Sequence, residues 1–272
     1  MPEGALEVAV AAAREAGALL REEFRRPGGP RGAHAHADAD EEAERGIRKR
    51  LRDAFPRWGY LGEESGAGTF PDGEPYWAVD PNDGTTWFLK GVPGSAVSIA
   101  LIRDGVPVLG VVYAYAAPDD EGDLFAWAEG SPATRNGRPL PALSVPEDAS
   151  LLLLHSPAAL GNLPANEELS RPGKIRILPS IAYRLALAAA GEGHLAVSLN
   201  APTTWDVAGG HALLLGVGGE LWNERGERVR YTSRGGMTPG RFVFGGHDRV
   251  VGRYFGKPWK RALSRPGHPP GR

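Results

Sequence analysis

The 272-residue sequence contains no cysteine and no glutamine, and only five of its 31 basic residues are lysine. The absence of cysteine excludes disulfide bonds, thiolate metal ligands and a cysteine nucleophile. No apolar run approaches the roughly 20 residues that a membrane-spanning helix needs. The first residues of the sequence also lack the pattern of a signal peptide. We therefore expect a soluble, cytoplasmic protein that has no membrane partner.

Charge is nearly balanced along the chain, which carries a formal net charge of −2 at pH 7. Domains that bind nucleic acid usually carry a marked excess of basic residues on one face, so we do not expect a nucleic-acid polymer as a partner. The length allows one large domain or two closely packed halves, with enough residues to bury a sizeable core.

Hydrophobic periodicity predicts a chain in which helices and strands are mixed. Helices are predicted over 5–25, 40–55, 180–190 and 205–216, and strands over 77–79, 97–103, 106–115, 124–128, 151–155, 175–178, 195–199, 219–223 and 242–244. The polar, proline-containing segment 139–149 predicts a boundary between an N-terminal half, 1–138, and a C-terminal α/β half, 139–256. Residues 257–272 are basic and rich in proline and glycine, and we expect a frayed tail there.

The stretch 77–88, which reads WAVDPNDGTTWF, is the most informative part of the sequence. It places Asp80 and Asp83 directly after an apolar strand, and Pro81 and Gly84 allow a tight turn around them. Two carboxylates this close repel each other unless a cation lies between them, and a hard divalent ion is the usual solution. A helix that begins at Thr85 would add an anion site at its free N–H groups. In isolation, the same residues also fit an ordinary Asx-type turn.

Further candidate carboxylates lie elsewhere, and each has an ordinary structural explanation as well. Glu63 and Glu64 are adjacent at the edge of a glycine-rich loop, where surface glutamates are common. Asp206 begins an apolar helix, where an acid stabilises the first turn without any function. Asp40 is a candidate N-cap of the second helix. His34 and His36 could bind a metal ion as a pair, but a flexible loop in which histidine simply alternates with alanine is the better explanation.

Three motifs, taken together and in order, resemble the signatures of the inositol monophosphatase superfamily. They are Gly62-Glu63-Glu64, Asp80-Pro81-Asn82-Asp83-Gly84-Thr85 and Trp205-Asp206, and the likeness runs from about residue 5 to about residue 246, with Ala39-Asp40 and Glu44 included. The superfamily comprises Mg²⁺-dependent, lithium-sensitive phosphatases, among them fructose-1,6-bisphosphatases and nucleotide 3′-phosphatases. The resemblance implies an α+β fold of the layered αβαβα sandwich type, and a homodimer.

The resemblance also implies a role for each matching residue. The Mg²⁺ ligands would be Glu63, Asp80, Asp83, Asp206 and the backbone carbonyl of Asn82. Glu64 would orient a water molecule, and Thr85 with Asp40 would position or deprotonate the attacking water. Phosphate would bind at the amides of Gly84 and Thr85, with Asp206 on the substrate side. Hard oxygen ligands suit Mg²⁺, and such ions lower the pKa of water and neutralise phosphate oxygens.

Several positions depart from the family pattern. They are Ala37 in place of a threonine, Asn82 in place of an aliphatic residue, Trp87 in place of an asparagine, Pro179 in place of a glycine and His194 in place of an aspartate. The segment 200–204 also lacks the glutamate with which inositol-cleaving members bind a sugar hydroxyl. We therefore expect intact metal chemistry on a small sugar, polyol or nucleotide phosphate, without inositol specificity. Arg184 and His194 are candidates for a positively charged substrate partner.

Two other functions stay open at this point. One is a family member that binds metal and a phosphorylated ligand without turnover, which the loss of a hydroxyl at Ala37 favours. The other is a glycoside hydrolase, in which a pair of acidic residues would catalyse cleavage of a glycosidic bond. A glycoside hydrolase explains Glu63 or Glu64, but it does not explain the pair Asp80 and Asp83 or the anion loop at Gly84-Thr85.

Overall fold

The structure, a computed structural model, describes residues 4–34, 36–68, 70, 74–119, 121–145, 151–238 and 240–263. Its α-helices are α1 Ala5–Phe24, α2 Asp38–Ala54, α3 Thr85–Phe88, α4 Leu163–Ser170, α5 Ile181–Ala189, α6 Thr204–Gly216 and α7 Asp248–Val251. Short 3₁₀ helices span Pro157–Asn162 and Trp259–Leu263. The strands are β1 Gly32–Ala33, β2 His36–Ala37, β3 Gly59–Gly62, β4 Gly66–Ala67, β5 Tyr76–Asp83, β6 Ala96–Arg103, β7 Val106–Ala114, β8 Asp123–Ala128, β9 Thr134–Arg135, β10 Arg138–Pro139, β11 Leu152–His155, β12 Lys174–Ile177, β13 Leu195–Ser198, β14 Glu220–Asn223 and β15 Val243–Gly246.

The larger sheet has eight strands in the order β10-β9-β8-β7-β6-β5-β3-β4, with only β3 and β5 parallel. Helices α1 and α2 cover one of its faces. Their buried side chains recur every three or four residues, as in Ala9, Ala13 and Leu20 of α1 and Ile47 and Leu51 of α2, so each helix turns one apolar stripe to the sheet.

The smaller sheet has five strands in the order β12-β11-β13-β15-β14, of which β11, β12 and β13 run parallel. Helices α5 and α6 are buried between the two sheets, and α4, α7 and the second 3₁₀ helix cover the outer face of the smaller one. The layers alternate helix, sheet, helix, sheet, helix, which confirms the predicted αβαβα sandwich of the α+β class.

Three local predictions were wrong. Helix α2 begins at Asp38 with Ala37 as its N-cap, so Asp40 lies in the first turn, where its carboxylate accepts a hydrogen bond from the Ala37 amide. Strand β5 does not end at residue 79 but continues through Asp83. The expected frayed tail is ordered over 257–263, because Trp259 is buried against the smaller sheet.

Other expectations remain predictions. The boundary at 139–149 and the frayed tail over 264–272 fall partly or wholly outside the described residues. No helix in the described part of the chain is both long and apolar enough to cross a membrane.

Glycines set the position of α6, the helix that carries Asp206. A Cβ added at Gly110 of β7 would lie 2.4 Å from the carbonyl oxygen of Gly209, and one added at Gly210 would lie 2.4 Å from Cβ of Leu185. Helix α6 therefore approaches the larger sheet on one side and α5 on the other more closely than a side chain would permit.

We expect Gly110→Ala to lower the free energy of unfolding by about 1–3 kcal/mol, because the added methyl group has to displace α6 from the sheet. Gly46→Ala is the matched control, because Gly46 lies in α2 with no atom within 4 Å of an added Cβ. The control should stabilise the protein by about 1 kcal/mol through helix propensity alone. Urea unfolding of both variants tests this, and equal effects would contradict the role given to Gly110.

Candidate metal and phosphate site

A bulge in β5 brings two carboxylates to one cleft. Asp80 pairs with Ser98 of β6 and Asp83 pairs with Ala96, so three residues of β5 correspond to two of β6. In a regular strand, residues three apart face opposite sides of the sheet, and the bulge removes that alternation. Asp206, in the first turn of α6, joins the pair. Carboxylate oxygens of Asp80, Asp83 and Asp206 all lie within 4.8 Å of one another.

Burial and mutual repulsion raise the affinity of this cluster for protons. Burial raises the pKa of Asp80 well above its usual range, and the charges of Glu63 and Asp83 raise it further. Burial and the charge of Asp206 raise the pKa of Asp83 to about 7. The pKa of Glu63 also rises to about 7, chiefly through burial, and its carboxyl group adjoins that of Asp80. Ionised together, these groups need a cation, and their hard oxygens fit a divalent metal ion.

Hydrogen bonds from the protein hold one oxygen of three of these carboxylates. Oδ1 of Asp80 accepts a hydrogen bond from the Asn82 amide at 2.8 Å. Oδ2 of Asp83 accepts hydrogen bonds from the Ser180 hydroxyl, at 2.6 Å, and from the Ala182 amide, at 2.7 Å. Oδ2 of Asp206 accepts one from the Thr203 amide at 2.6 Å. Each carboxylate thus keeps its other oxygen for a ligand. Sequence reasoning missed the contribution of α5, although Ser180 before an apolar helix is an N-cap signal.

A second, buried network lies beside the carboxylates. The Thr85 hydroxyl lies 3.2 Å from Oδ2 of Asp40 and 2.9 Å from the carbonyl oxygen of Asn82, and its single proton can serve only one of them at a time. The Asn82 side chain donates to Oδ1 of Asp40 at 2.9 Å and accepts from the hydroxyl of Tyr115. Burial raises the pKa of Asp40 to about 6. The carboxylate of Asp40 therefore lies within hydrogen-bond distance of the Thr85 hydroxyl.

Glu64 is close to this network, since the charge of Asp40 acts on its carboxylate. Its carboxylate is 3.3 Å from Nδ1 of His36, and the other ring nitrogen of His36 is 3.7 Å from Glu41. Burial and the charge of Asp40 raise the pKa of Glu64. Buried Glu44 fixes the loop, since its carboxylate accepts from the Glu64 amide at 2.8 Å. His36 therefore contacts the site through Glu64, which the sequence pattern did not indicate.

The cleft between the two sheets has a volume of about 410 Å³. The carboxylates of Glu63, Asp80, Asp83 and Asp206 line it, together with the start of α3, Gly84 to Thr86. The lining also includes Ser156, Arg184, Ser198, Asn200 and Pro202. A larger cleft, of about 1050 Å³, borders α1 and the start of α2, but none of the predicted site residues lines it.

The two candidate cationic residues have different positions. Arg184 lines the cleft, whereas His194 lies elsewhere, with its Nδ1 accepting a hydrogen bond from the Leu152 amide at 2.9 Å. The neutral segment 200–204 contributes Asn200 and Pro202 to the cleft wall and no carboxylate.

Comparison with known proteins agrees with this geometry. The model of the inositol monophosphatase family matches residues 1–246. The chain is 33% identical to inositol monophosphatase 3 of Solanum lycopersicum over 250 residues, or 84% of this chain and 89% of that protein. It is 31% identical to the Nus factor SuhB of Escherichia coli (strain K12) over 229 residues, or 79% and 83% of the two chains. The solved inositol monophosphatase of Anabaena (Nostoc) sp. PCC 7120 superposes with a TM-score of 0.73 at 27% identity, covering 91% of this chain and 95% of that one.

The αβαβα sandwich and the carboxylates that converge at the bulged end of β5 are typical of metal-dependent phosphatases. They are not typical of glycoside hydrolases. The chain belongs to the inositol monophosphatase family.

We expect a divalent ion to stabilise the metal-free protein, because it relieves repulsion among the four carboxylates. At a concentration of 100 times Kd, the melting temperature should rise by roughly 5–10 °C. Asp206→Asn keeps an acceptor for the Thr203 amide but removes one charge, so the metal-free variant should melt higher and gain less from added ion. Differential scanning fluorimetry with Mg²⁺, Mn²⁺ or Ca²⁺ measures both effects.

Asp53→Asn is the control for that experiment. Asp53 is exposed on α2, where it pairs with Lys49 at 2.7 Å, far from the cleft. Its removal should leave the ion-induced shift unchanged, and an Asp206→Asn shift as large as that of the parent protein would contradict the shared site.

Proposed function

We propose that this protein is a Mg²⁺-dependent phosphomonoesterase that hydrolyses a small sugar, polyol or nucleotide phosphate. The observation that carries the proposal is the convergence, in one cleft, of the carboxylates of Asp80, Asp83 and Asp206 with the start of α3 and the Thr85–Asp40 pair. Such a cleft combines a cation site, an anion site and a proton acceptor, which together are what phosphate-ester hydrolysis requires.

Mg²⁺ is the proposed ion because the available donors are carboxylate and carbonyl oxygens, without sulfur or imidazole in the cluster. The ligands would be Glu63, Asp80, Asp83, Asp206 and the carbonyl of Asn82. That carbonyl already accepts a hydrogen bond from Thr85, but it retains a second lone pair. When bound, Mg²⁺ would neutralise phosphate oxygens and lower the pKa of water.

The chain's own groups would bind, orient and move protons. The amides of Gly84 and Thr85 would donate to phosphate oxygens, and Glu64 would orient the attacking water. Water would attack phosphorus while the ester P–O bond breaks, and inorganic phosphate and an alcohol would leave. The proton of the water would pass to the Thr85 hydroxyl as that hydroxyl gives its own proton to Asp40, and the departing alkoxide would take a proton from solvent.

A second candidate is a protein of the same family that binds metal and a phosphorylated ligand without turnover. Ala37 favours it, because a hydroxyl usual at that position is missing, and the Escherichia coli relative carries the name of a Nus factor. The two candidates share the metal-induced stabilisation and differ only in catalysis, so release of inorganic phosphate from a panel of phosphate esters, with and without Mg²⁺, separates them.

Thr85→Ala should lower kcat by about 10²–10⁴-fold, because the route for the proton to Asp40 is lost. The ion-induced rise in melting temperature should persist, because Thr85 contributes no carboxylate. Thr85→Ser restores the hydroxyl and should recover most of the loss in kcat. Loss of metal binding in Thr85→Ala, or a kcat equal to that of the parent protein, would count against the proposed proton route.

Inositol 1-phosphate should be no better than other sugar phosphates, with kcat/KM values that agree within about tenfold. The cleft has no carboxylate from 200–204 to accept hydrogen bonds from ring hydroxyls, and a charge-assisted hydrogen bond of that kind is worth roughly 1.5–3 kcal/mol. Measured kcat/KM across the panel tests this, and a hundredfold preference for inositol 1-phosphate would show that another residue supplies the contact.

Lithium should inhibit turnover by competing with Mg²⁺ for the metal position that includes Asp206. A steady-state Mg²⁺ titration at fixed lithium should show inhibition that depends on the Mg²⁺ concentration. If lithium concentrations that inhibit other family members leave the activity unchanged, the metal position that includes Asp206 differs from theirs.

A homodimer and a cytoplasmic location complete the proposal. The family resemblance supports the homodimer, and the composition supports the location. Sedimentation velocity at micromolar concentration tests the dimer, and a uniform monomer would remove it.

A further inference from the structure

We propose that Ser180 is a positioning residue that sets which divalent ion the cleft prefers. Its hydroxyl, together with the Ala182 amide, occupies one oxygen of Asp83. Asp83 is then left with a single oxygen for a metal ion, and this favours Mg²⁺ over Ca²⁺. The inference rests on the metal site of the proposed function and concerns its choice of ion, not its substrate.

One oxygen of Asp83 has no lone pair left for a metal ion. Oδ2 accepts hydrogen bonds from the Ser180 hydroxyl at 2.6 Å and from the Ala182 amide at 2.7 Å. A carboxylate oxygen has two lone pairs, and both are used here. Oδ1 accepts no hydrogen bond from the described residues, so it is the oxygen that is available to a ligand.

The start of α5 directs the proton of the Ser180 hydroxyl at Asp83. Ser180 is the N-cap residue of that helix, and its Oγ accepts a hydrogen bond from the Tyr183 amide at 2.9 Å. Because Oγ is the acceptor in that bond, its single proton is free for Asp83. The Ser180 carbonyl accepts from Nε of Arg184, whose Nη1 donates to the Val197 carbonyl of β13. The hydroxyl is therefore fixed between α5 and the smaller sheet.

Ser180 acts on an ion only through Asp83. Its relative exposure is 0%, so its side chain cannot touch an ion or a substrate in the cleft. Asp80 and Asp206 also have one oxygen that accepts a backbone amide, as described above. Of the three aspartates, Asp83 is the one whose second oxygen a side chain occupies, and a substitution can therefore release it.

The number of ligand oxygens distinguishes the two ions. Mg²⁺ takes about six oxygens in near-octahedral geometry, whereas Ca²⁺ takes about six to eight at longer distances and often binds both oxygens of one carboxylate. A carboxylate that offers one oxygen adds one ligand, which suits the smaller ion. Release of Oδ2 of Asp83 adds a ligand at the same position, and this favours the larger ion.

A purely structural role for Ser180 predicts a different result. Loss of an N-cap loosens the first turn of α5, and a displaced Asp83 then binds both ions more weakly by a common factor. Release of Oδ2 instead changes the two dissociation constants unequally. The ratio Kd(Ca²⁺)/Kd(Mg²⁺) is therefore the quantity that separates the two roles.

Titration of the metal-free, full-length protein with each ion measures that ratio in the absence of substrate. Differential scanning fluorimetry at increasing ion concentration gives both dissociation constants. We expect the parent protein to bind Ca²⁺ no more than about tenfold more tightly than Mg²⁺. In Ser180→Gly, the ratio should fall by about tenfold, as is typical when a group that supports a metal ligand is removed. Glycine is chosen because it replaces serine at an N-cap with little loss of helix stability.

Two variants serve as controls. Ser180→Thr keeps the hydroxyl, and it should keep the ratio of the parent protein. Ser198→Ala removes a buried hydroxyl that lines the same cleft but donates to no carboxylate among the described residues, and it should also leave the ratio unchanged.

The outcomes separate this inference from the proposed function. The inference is overturned if Ser180→Gly folds and changes both dissociation constants by one factor, or changes neither. It is also overturned if the parent protein binds Ca²⁺ more than about tenfold more tightly than Mg²⁺, and this test applies even if Ser180→Gly does not fold. If neither ion binds the parent protein, the metal site of the proposed function fails, and the inference fails with it. If the ratios are as expected but no phosphate ester is hydrolysed, the inference stands and the proposed phosphatase activity fails.

Discussion

The repulsion among four carboxylates in one cleft is the constraint on which the rest of this structure depends. Asp80, Asp83, Asp206 and Glu63 come from three separate segments of the chain, and burial raises the pKa of each. Holding them together is unfavourable without a cation. The fold must therefore fix these groups, and hydrogen bonds to one oxygen do so for Asp80, Asp83 and Asp206.

The layered architecture supplies that support. The bulge in β5 turns two aspartates to the same side. The Ala182 amide in the first turn of α5 donates to Asp83, and the amide of Thr203, the N-cap residue of α6, donates to Asp206. Positive helix N-termini stabilise these carboxylates as anions. Helix α6 reaches this position only because glycines line its contact with the larger sheet, so packing in the middle layer and geometry in the cleft are parts of one arrangement.

The sequence by itself determined the family, because local motifs such as Asp80 to Thr85 resemble the signatures of that family, and the layered fold class and the candidate ligands followed from the resemblance. Only the tertiary structure decided how distant segments meet. Asp83 lies 97 residues from Ser180, which holds it, and Asp40 lies 42 residues from Asn82, so no pattern indicated either contact. The placement of Arg184 in the cleft and of His194 outside it follows from the packing of α5 and the parallel pairing of β11 with β13, and long-range packing of that kind has no local sequence signature.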